Sequence, residues 1–248
     1  MKNFKLVIEY DGGNYCGWQR QKTDRTIQGE IENALTTMTQ QKITLIGSGR
    51  TDAGVHALGQ TANFKCDTSL TCEAFQKGLN SLLPKDIVIK SCQPSAMDFH
   101  ARFDAKSKTY RYHILNHHLP IAIGRQYVWQ IRRPLDTHAM AEASRYFLGP
   151  HDFKAFEGSG SPRAHTVRHV TMAQLSVNQD GNITFDIEAN GFLRFMVRNI
   201  VGTLVDVGMG KLTLQDIPEI FHSGDRNRAS ATAPAQGLFL ISVTYPEK

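Results

Sequence analysis

Asp52 sits in the stretch Gly47-Ser-Gly-Arg-Thr-Asp-Ala-Gly54, where three of eight residues are glycine. Glycine admits backbone angles and close approaches that other residues cannot, so a carboxylate in such a loop can be presented to a ligand. A phosphate-binding loop would need Gly-Lys-Ser/Thr opening a helix. No lysine occurs here and a strand pattern follows, which sets that reading aside. An Asp beside glycine commonly hydrogen-bonds its own backbone in a tight turn. The alternative is a catalytic carboxylate acting as nucleophile or general base. Spacing alone favours the turn.

Other residues invite chemical readings of their own. Arg198 lies in Met196-Val-Arg-Asn-Ile-Val-Gly-Thr-Leu-Val205, a helical stretch that is apolar almost all round. A guanidinium there needs a partner. Asp206, eight residues on and on the same helical face, is one choice; Asp52 is the other. Tyr110, in Lys108-Thr-Tyr-Arg-Tyr112, projects from a strand and shares its face with Tyr112. A half-buried strand tyrosine is the ordinary reading. The loop over 11–25 holds Tyr15, Trp18, Arg20, Lys22 and Arg25. That mixture suits RNA backbone and base stacking, or else forms a solvated basic loop around one packed Trp. Arg50, two residues before Asp52, is a phosphate contact or a group that swings between Asp52 and RNA. Arg125, Arg132, Arg133, Arg163 and Arg168 are further backbone-contact candidates. His117-His118 has no third ligand at recognisable spacing, so no metal site is expected.

The elements that must position these residues follow a repeated layout. Alternating apolar residues Phe4, Leu6, Ile8 and Tyr10 predict a strand buried on one face. Thr26 predicts an N-cap for a helix carrying Ile27, Ile31, Ala34, Leu35 and Met38. Strands are expected at about 43–47 and 60–66. A second helix puts Phe75, Leu79, Leu82 and Leu83 on one face, Pro84 stops it, and a strand starts at Ile87. This is the β-α-β-β-α-β order of a ferredoxin-like unit. The remainder reads similarly: a strand over 108–115, an inserted segment over 117–134, a helix capped by Asp136, strands over 167–177 and 182–189, helices over 193–207 and 213–222, and a closing strand over 238–245. The expected fold is α+β, with ferredoxin-like halves at 1–104 and 105–248 whose antiparallel sheets join around a central basic cleft.

Length and composition agree with a folded chain. The 248 residues suit one large domain or two smaller ones, and 41% hydrophobic with 21% charged residues is ordinary for a globular protein. A formal charge of +5 favours anionic partners. The four cysteines form no C-x-x-C pair, which argues against a zinc ribbon, and they are expected to be reduced thiols. No apolar run approaches a membrane span and no signal peptide is visible, so a cytoplasmic location is expected.

The motifs then narrow the choice. Arg50-Thr-Asp-Ala-Gly-Val-His56 resembles the signature of the tRNA pseudouridine synthase A family. Tyr10-Asp-Gly with Cys16-Gly-Trp-Gln-Arg20, Thr26-Ile-Gln-Gly-Glu30, Leu79-Asn-Ser-Leu-Leu-Pro-Lys-Asp-Ile87 and Phe99-His-Ala-Arg-Phe103 are similar to other family motifs. So are Lys108–Tyr112, Gly149-Pro-His-Asp-Phe153, Gly191–Gly202 and Ala233-Pro-Ala-Gln-Gly-Leu238, all in the family's order. The resemblance implies a homodimeric enzyme that converts uridines 38, 39 and 40 of the tRNA anticodon stem-loop to pseudouridine without cofactor or metal. It implies that Asp52 is the essential carboxylate, that Arg198 holds it ionised, and that Tyr110 stacks on the target uracil. Arg50, Trp18, Arg20, His56, Arg102 and Arg194 are the implied substrate contacts. Arg194 departs from the Tyr or His common near that position in the family. Two rivals remain at the level of fold: a non-catalytic protein of two RNA-recognition units, though no RNP1 strand is found, and an aspartate-nucleophile phosphatase, though no second carboxylate flanks Asp52.

Overall fold

The computed structural model describes residues 1–158, 160 and 165–246. Arg163 lies outside them. The chain is a mixed α/β protein with predominantly antiparallel sheets, and it divides into two compact units.

The first unit runs through β1 (Lys2–Tyr10), α1 (Ile27–Thr39), β2 (Ile46–Gly47), β3 (His56–Cys66), α2 (Cys72–Leu82) and β4 (Ile87–Ser95). β1 is central, antiparallel to β3 on one side and β4 on the other, and β2 adds to β3. Alternation along β1 buries Phe4, Leu6, Ile8 and Tyr10. Phe4 meets Phe64 at 5.2 Å and Phe75 at 4.9 Å between ring centroids, which pins α2 to the sheet. Burying each such ring contributes roughly 1.5–3 kcal/mol. Thr26 caps α1 as its type predicts, its hydroxyl accepting from Gly29 N at 3.3 Å. Leu82, expected on the buried face of α2, is 49% exposed because the helix ends there.

The second unit holds β5 (Ser107–Asn116), β6 (Trp129–Ile131), α3 (Thr137–Ser144), β7 (Gly149–Asp152), β8 (Val167–Val177), β9 (Asn182–Ala189), α4 (Met196–Gly208) and α5 (Asp216–Ser223). β9 pairs antiparallel with β5 and β8, β7 continues from β8, and β6 runs parallel to β5. Asp136 caps α3, accepting from Ala139 N at 2.9 Å. α4 is buried on nearly every side, in keeping with its apolar sequence.

The chain then returns to the first unit through β10 (Leu238–Thr244), which pairs in parallel with β3 at Phe239↔His56 and Leu240↔Ala57. The unit boundary therefore falls at Lys106/Ser107, and the segment from Phe239 belongs with the first unit rather than the second. This pairing also explains why β3 starts at His56 instead of near 60. β7 is a strand the sequence pattern does not reveal, since Gly149-Pro-His-Asp152 has neither alternation nor β-branched residues.

Candidate active site

The loop carrying Asp52 leaves β2 and enters β3, and buried polar side chains hold it. Ser48, fully buried, donates its hydroxyl to Gln60 Oε1 at 2.6 Å. Gln60 Nε2 in turn donates to Gly49 O at 3.0 Å. Tyr10 Oη lies 2.8 Å from Thr51 Oγ1, both inside the unit. Trp18 N donates to Thr51 O at 3.1 Å, and Val55 N donates to Asp52 O at 3.2 Å. Asp52 itself is half-buried. It is a carboxylate on a rigid turn with a share of solvent, the setting a nucleophile or base requires.

Residues 15–20 pack against that loop. Gly17 has φ +87, and a Cβ there would lie 2.6 Å from Thr51 O, so only glycine permits the approach. Trp18 is 2% exposed, its ring pressed on Gly47, where a Cβ would lie 2.6 Å from the indole. The residue read as a base-stacking platform is thus a core side chain that braces the loop. Arg20 is exposed but tethered, its Nη1 donating to Glu32 Oε2 at 2.7 Å. Glu32 is buried and also accepts from Leu45 N and Gln28 Nε2, both at 2.9 Å. Arg50 is exposed and donates through Nε to Gln19 Oε1 at 3.0 Å.

His56 is 2% exposed and stacks on Phe239 at 4.7 Å. Its Nδ1 lies 2.9 Å from Asp11 Oδ1 and accepts from Gly12 N at 3.1 Å. The imidazole therefore braces the Asp11 turn from inside the unit, a position unsuited to the substrate contact expected of it. Arg102 is exposed, with its guanidinium 5.5 Å from the Phe103 ring.

In the second unit, Tyr110 and Tyr112 face the same side of β5, opposite Ile187 and Phe185 of β9. Tyr110 is 7% exposed and meets Phe192 edge-on at 5.0 Å. Tyr112 is fully buried and donates its hydroxyl to Pro234 O at 2.7 Å. Burial pushes the Tyr112 phenol well above its usual range, the Arg198 charge opposing that shift. Arg198 Nε donates to Ala233 O at 2.7 Å, and its guanidinium sits 5.0 Å from the Phe195 ring. Arg194, exposed, covers the same ring at 4.6 Å. Phe195, at φ 61, is one of two non-glycine residues with positive φ among those described. Asp206, the candidate partner on the helix, takes Lys211 Nζ at 2.8 Å.

The buried loop anchors Tyr10, Ser48, Thr51 and Gln60, and the buried acid Glu32, were not among the residues read as functional. Glu32 carries a visible signal, a carboxylate among Ile27, Ile31 and Leu35 on the apolar face of α1. Thr51 stands in the signature itself, and Ser48 in the glycine-rich stretch that leads into it. Gln60 carries none, because its role depends on a partner eleven residues away. Among the described residues, no group of three or more His, Cys, Asp or Glu side chains is placed to hold a metal ion.

The sequence model of the tRNA pseudouridine synthase family matches residues 6–104 and 143–246. Over 245 residues the chain is 49% identical to a tRNA pseudouridine synthase A of Acetivibrio thermocellus, covering 99% of this chain and 100% of the relative. It is 46% identical to the protein of that name from Thermoanaerobacter sp. strain X514, over 99% and 100% of the two chains. Among solved structures, the crystal structure of the archaeal box H/ACA sRNP Nop10-Cbf5 complex is similar over 94% of this chain and 58% of that one. The TM-score is 0.38 and the identity 9%, a likeness too distant to bear on function.

Proposed function

Because the chain belongs to the tRNA pseudouridine synthase family, we propose that the tRNA uridines it isomerises are those at positions 38, 39 and 40 of the anticodon stem-loop. The observation that carries this reading is end-to-end similarity to relatives named tRNA pseudouridine synthase A, together with the signature around Asp52. The reaction breaks the bond between uracil N1 and ribose C1′, turns the base, and joins C5 to C1′. The C5 proton leaves and N1 gains one. The change is redox-neutral and adds no atom, so it calls for no cofactor.

The target base leaves its stack first, at a cost of a few kcal/mol. Exposed cations such as Arg50, Arg102 and Arg194 offset part of that cost by holding the backbone, and Arg20 helps from the neighbouring loop. Asp52 then acts on the ribose or base as nucleophile or general base. Burial alone would raise its pKa and a nearby cation would lower it again; Arg198 supplies that cation. Tyr110 stacks on the uracil and takes the C5 proton. In this reading both units are ferredoxin-like halves, their residues act on one uridine in a basic cleft, and the enzyme is a cytoplasmic homodimer.

The test is tritium release from tRNA labelled at uridine C5, run in chelator. We expect release by the wild-type protein, and Asp52→Asn should bind tRNA with unchanged affinity while losing turnover. Release by Asp52→Asn at the wild-type rate would overturn the assignment. Pseudouridine mapped by sequencing to positions outside the anticodon stem-loop would overturn the site.

A further inference from the structure

The hydrogen bond between the Tyr10 phenol and the Thr51 hydroxyl is buried, joins residues 41 apart in sequence, and ends one residue from Asp52. We propose that Tyr10 and Thr51 are positioning residues for Asp52, with Gln60 completing the support; this rests on Asp52 being the catalytic carboxylate.

Three observations point the same way. First, each end of the support is locked. Tyr10 is the last residue of β1, 3% exposed, between partners on β3 and β4. Gln60 is fully buried in the middle of β3, and its amide orientation is set by accepting from Ser48 and donating to Gly49 O. Second, Thr51 is held twice, through its hydroxyl and through its carbonyl, which accepts from Trp18 N. The carbonyl of Asp52 accepts from Val55 N, so the backbone on both sides of the Asp52 side chain is pinned. Third, the phenol stays neutral. Burial pushes it above the usual tyrosine range, while hydrogen bonds with Thr51 and Gln60 work in the opposite direction. A neutral phenol is both donor and acceptor, so it can make this bond with Thr51 in either direction without adding charge beside the reacting carboxylate.

The need for such a device is geometric. A carboxylate displaced by about 1 Å costs on the order of a hundredfold in rate, because the reacting atoms are no longer aligned. Tyr10 and Thr51 touch no substrate in this scheme, and their effect passes entirely through the loop backbone.

Tyr10→Phe removes one oxygen and keeps the ring; Thr51→Val removes the hydroxyl and keeps the shape; Thr51→Ser keeps the hydroxyl. Single-turnover rate, tRNA affinity and melting temperature are measured for each, for the double variant, and for Asp52→Asn. The expected result is a drop of about 10- to 100-fold in rate for Tyr10→Phe and Thr51→Val, with affinity within about twofold. The double variant should be no slower than the worse single one, since both remove the same bond, and Thr51→Ser should recover most of the rate. A wild-type rate for Tyr10→Phe beside an inactive Asp52→Asn would overturn the proposal and leave the function standing. Lowered melting temperatures with unchanged rates would reduce the bond to a fold contact and overturn it equally. An active Asp52→Asn would instead remove the premise. Tyr10→Phe keeps its volume and decides the matter even where Thr51→Val fails to fold.

Discussion

Tyr110 and Tyr112 stand two residues apart on one strand face, and their surroundings separate them. The Tyr112 hydroxyl is spent on Pro234 O in a fully buried position. Tyr112→Phe should therefore cost about 1–2 kcal/mol of stability, because a buried carbonyl loses its donor, while tritium release per folded molecule stays near wild type. Tyr110 meets Phe192 nearly perpendicular, ring to ring, and carries the proposed contact with uracil. Tyr110→Phe should lower release at least about tenfold, the lower end of general acid–base contributions being somewhat larger, with little change in melting temperature. Equal effects of the two substitutions on turnover would leave the assignment of Tyr110 without support. Sequence alone ranks these two residues only through motif resemblance, since alternation makes them equivalent.

At the scale of elements, the 11–25 loop and the 47–55 loop are one packed assembly, and glycine is what allows them to meet. Gly17 and Gly124 have nearly the same φ, +87 and +80, but a Cβ at Gly17 would strike Thr51 O at 2.6 Å whereas one at Gly124 meets nothing within 4 Å. Gly124→Ala should cost only the left-handed strain, about 1 kcal/mol. Gly17→Ala should cost about 2 kcal/mol or more, and it should slow turnover as well because the atom that must move belongs to Thr51. Urea midpoints of the two variants, compared side by side with their release rates, test this. The starts of α1 and α3 were legible because caps are local: Thr26 and Asp136 each bind a backbone N–H three residues on; α4 and α5, which have no side-chain cap, start at Met196 and Asp216, three residues later than the pattern predicts. The start of β3 and the whole of β7 were not legible, because both depend on partners far away in sequence.

At the scale of the whole molecule, a net formal charge of +5 and the exposure of Arg50, Arg102 and Arg194, the proposed backbone contacts, lead to the expectation that tRNA binding is an electrostatic event. Affinity should fall linearly with the logarithm of salt concentration as counterions are released. Arg102→Ala should reduce that slope by roughly one and weaken binding about equally for different tRNAs. A filter-binding series in salt checks this, and an unchanged slope would take Arg102 out of the contact surface. The formal charge was readable from composition. The exposure of those arginines, against the burial of Trp18 in the same motif set, was not.

What the sequence by itself determined is therefore the short-range and the compositional: the glycine-rich turn with its aspartate, the capped helices, the alternating strands, the basic balance, and the ordered motifs that identify the family. Tertiary structure decided which side chains those motifs spend inward. Trp18 is buried because Gly47 leaves room for its ring, and His56 because β10 brings Phe239 against it. Both residues are amphipathic, so their types suit either a wet surface or a packed interior. The choice falls to the partners that a distant part of the chain delivers, and for the loop of Asp52 that partner is the Tyr10 phenol, which reaches Thr51 from 41 residues away.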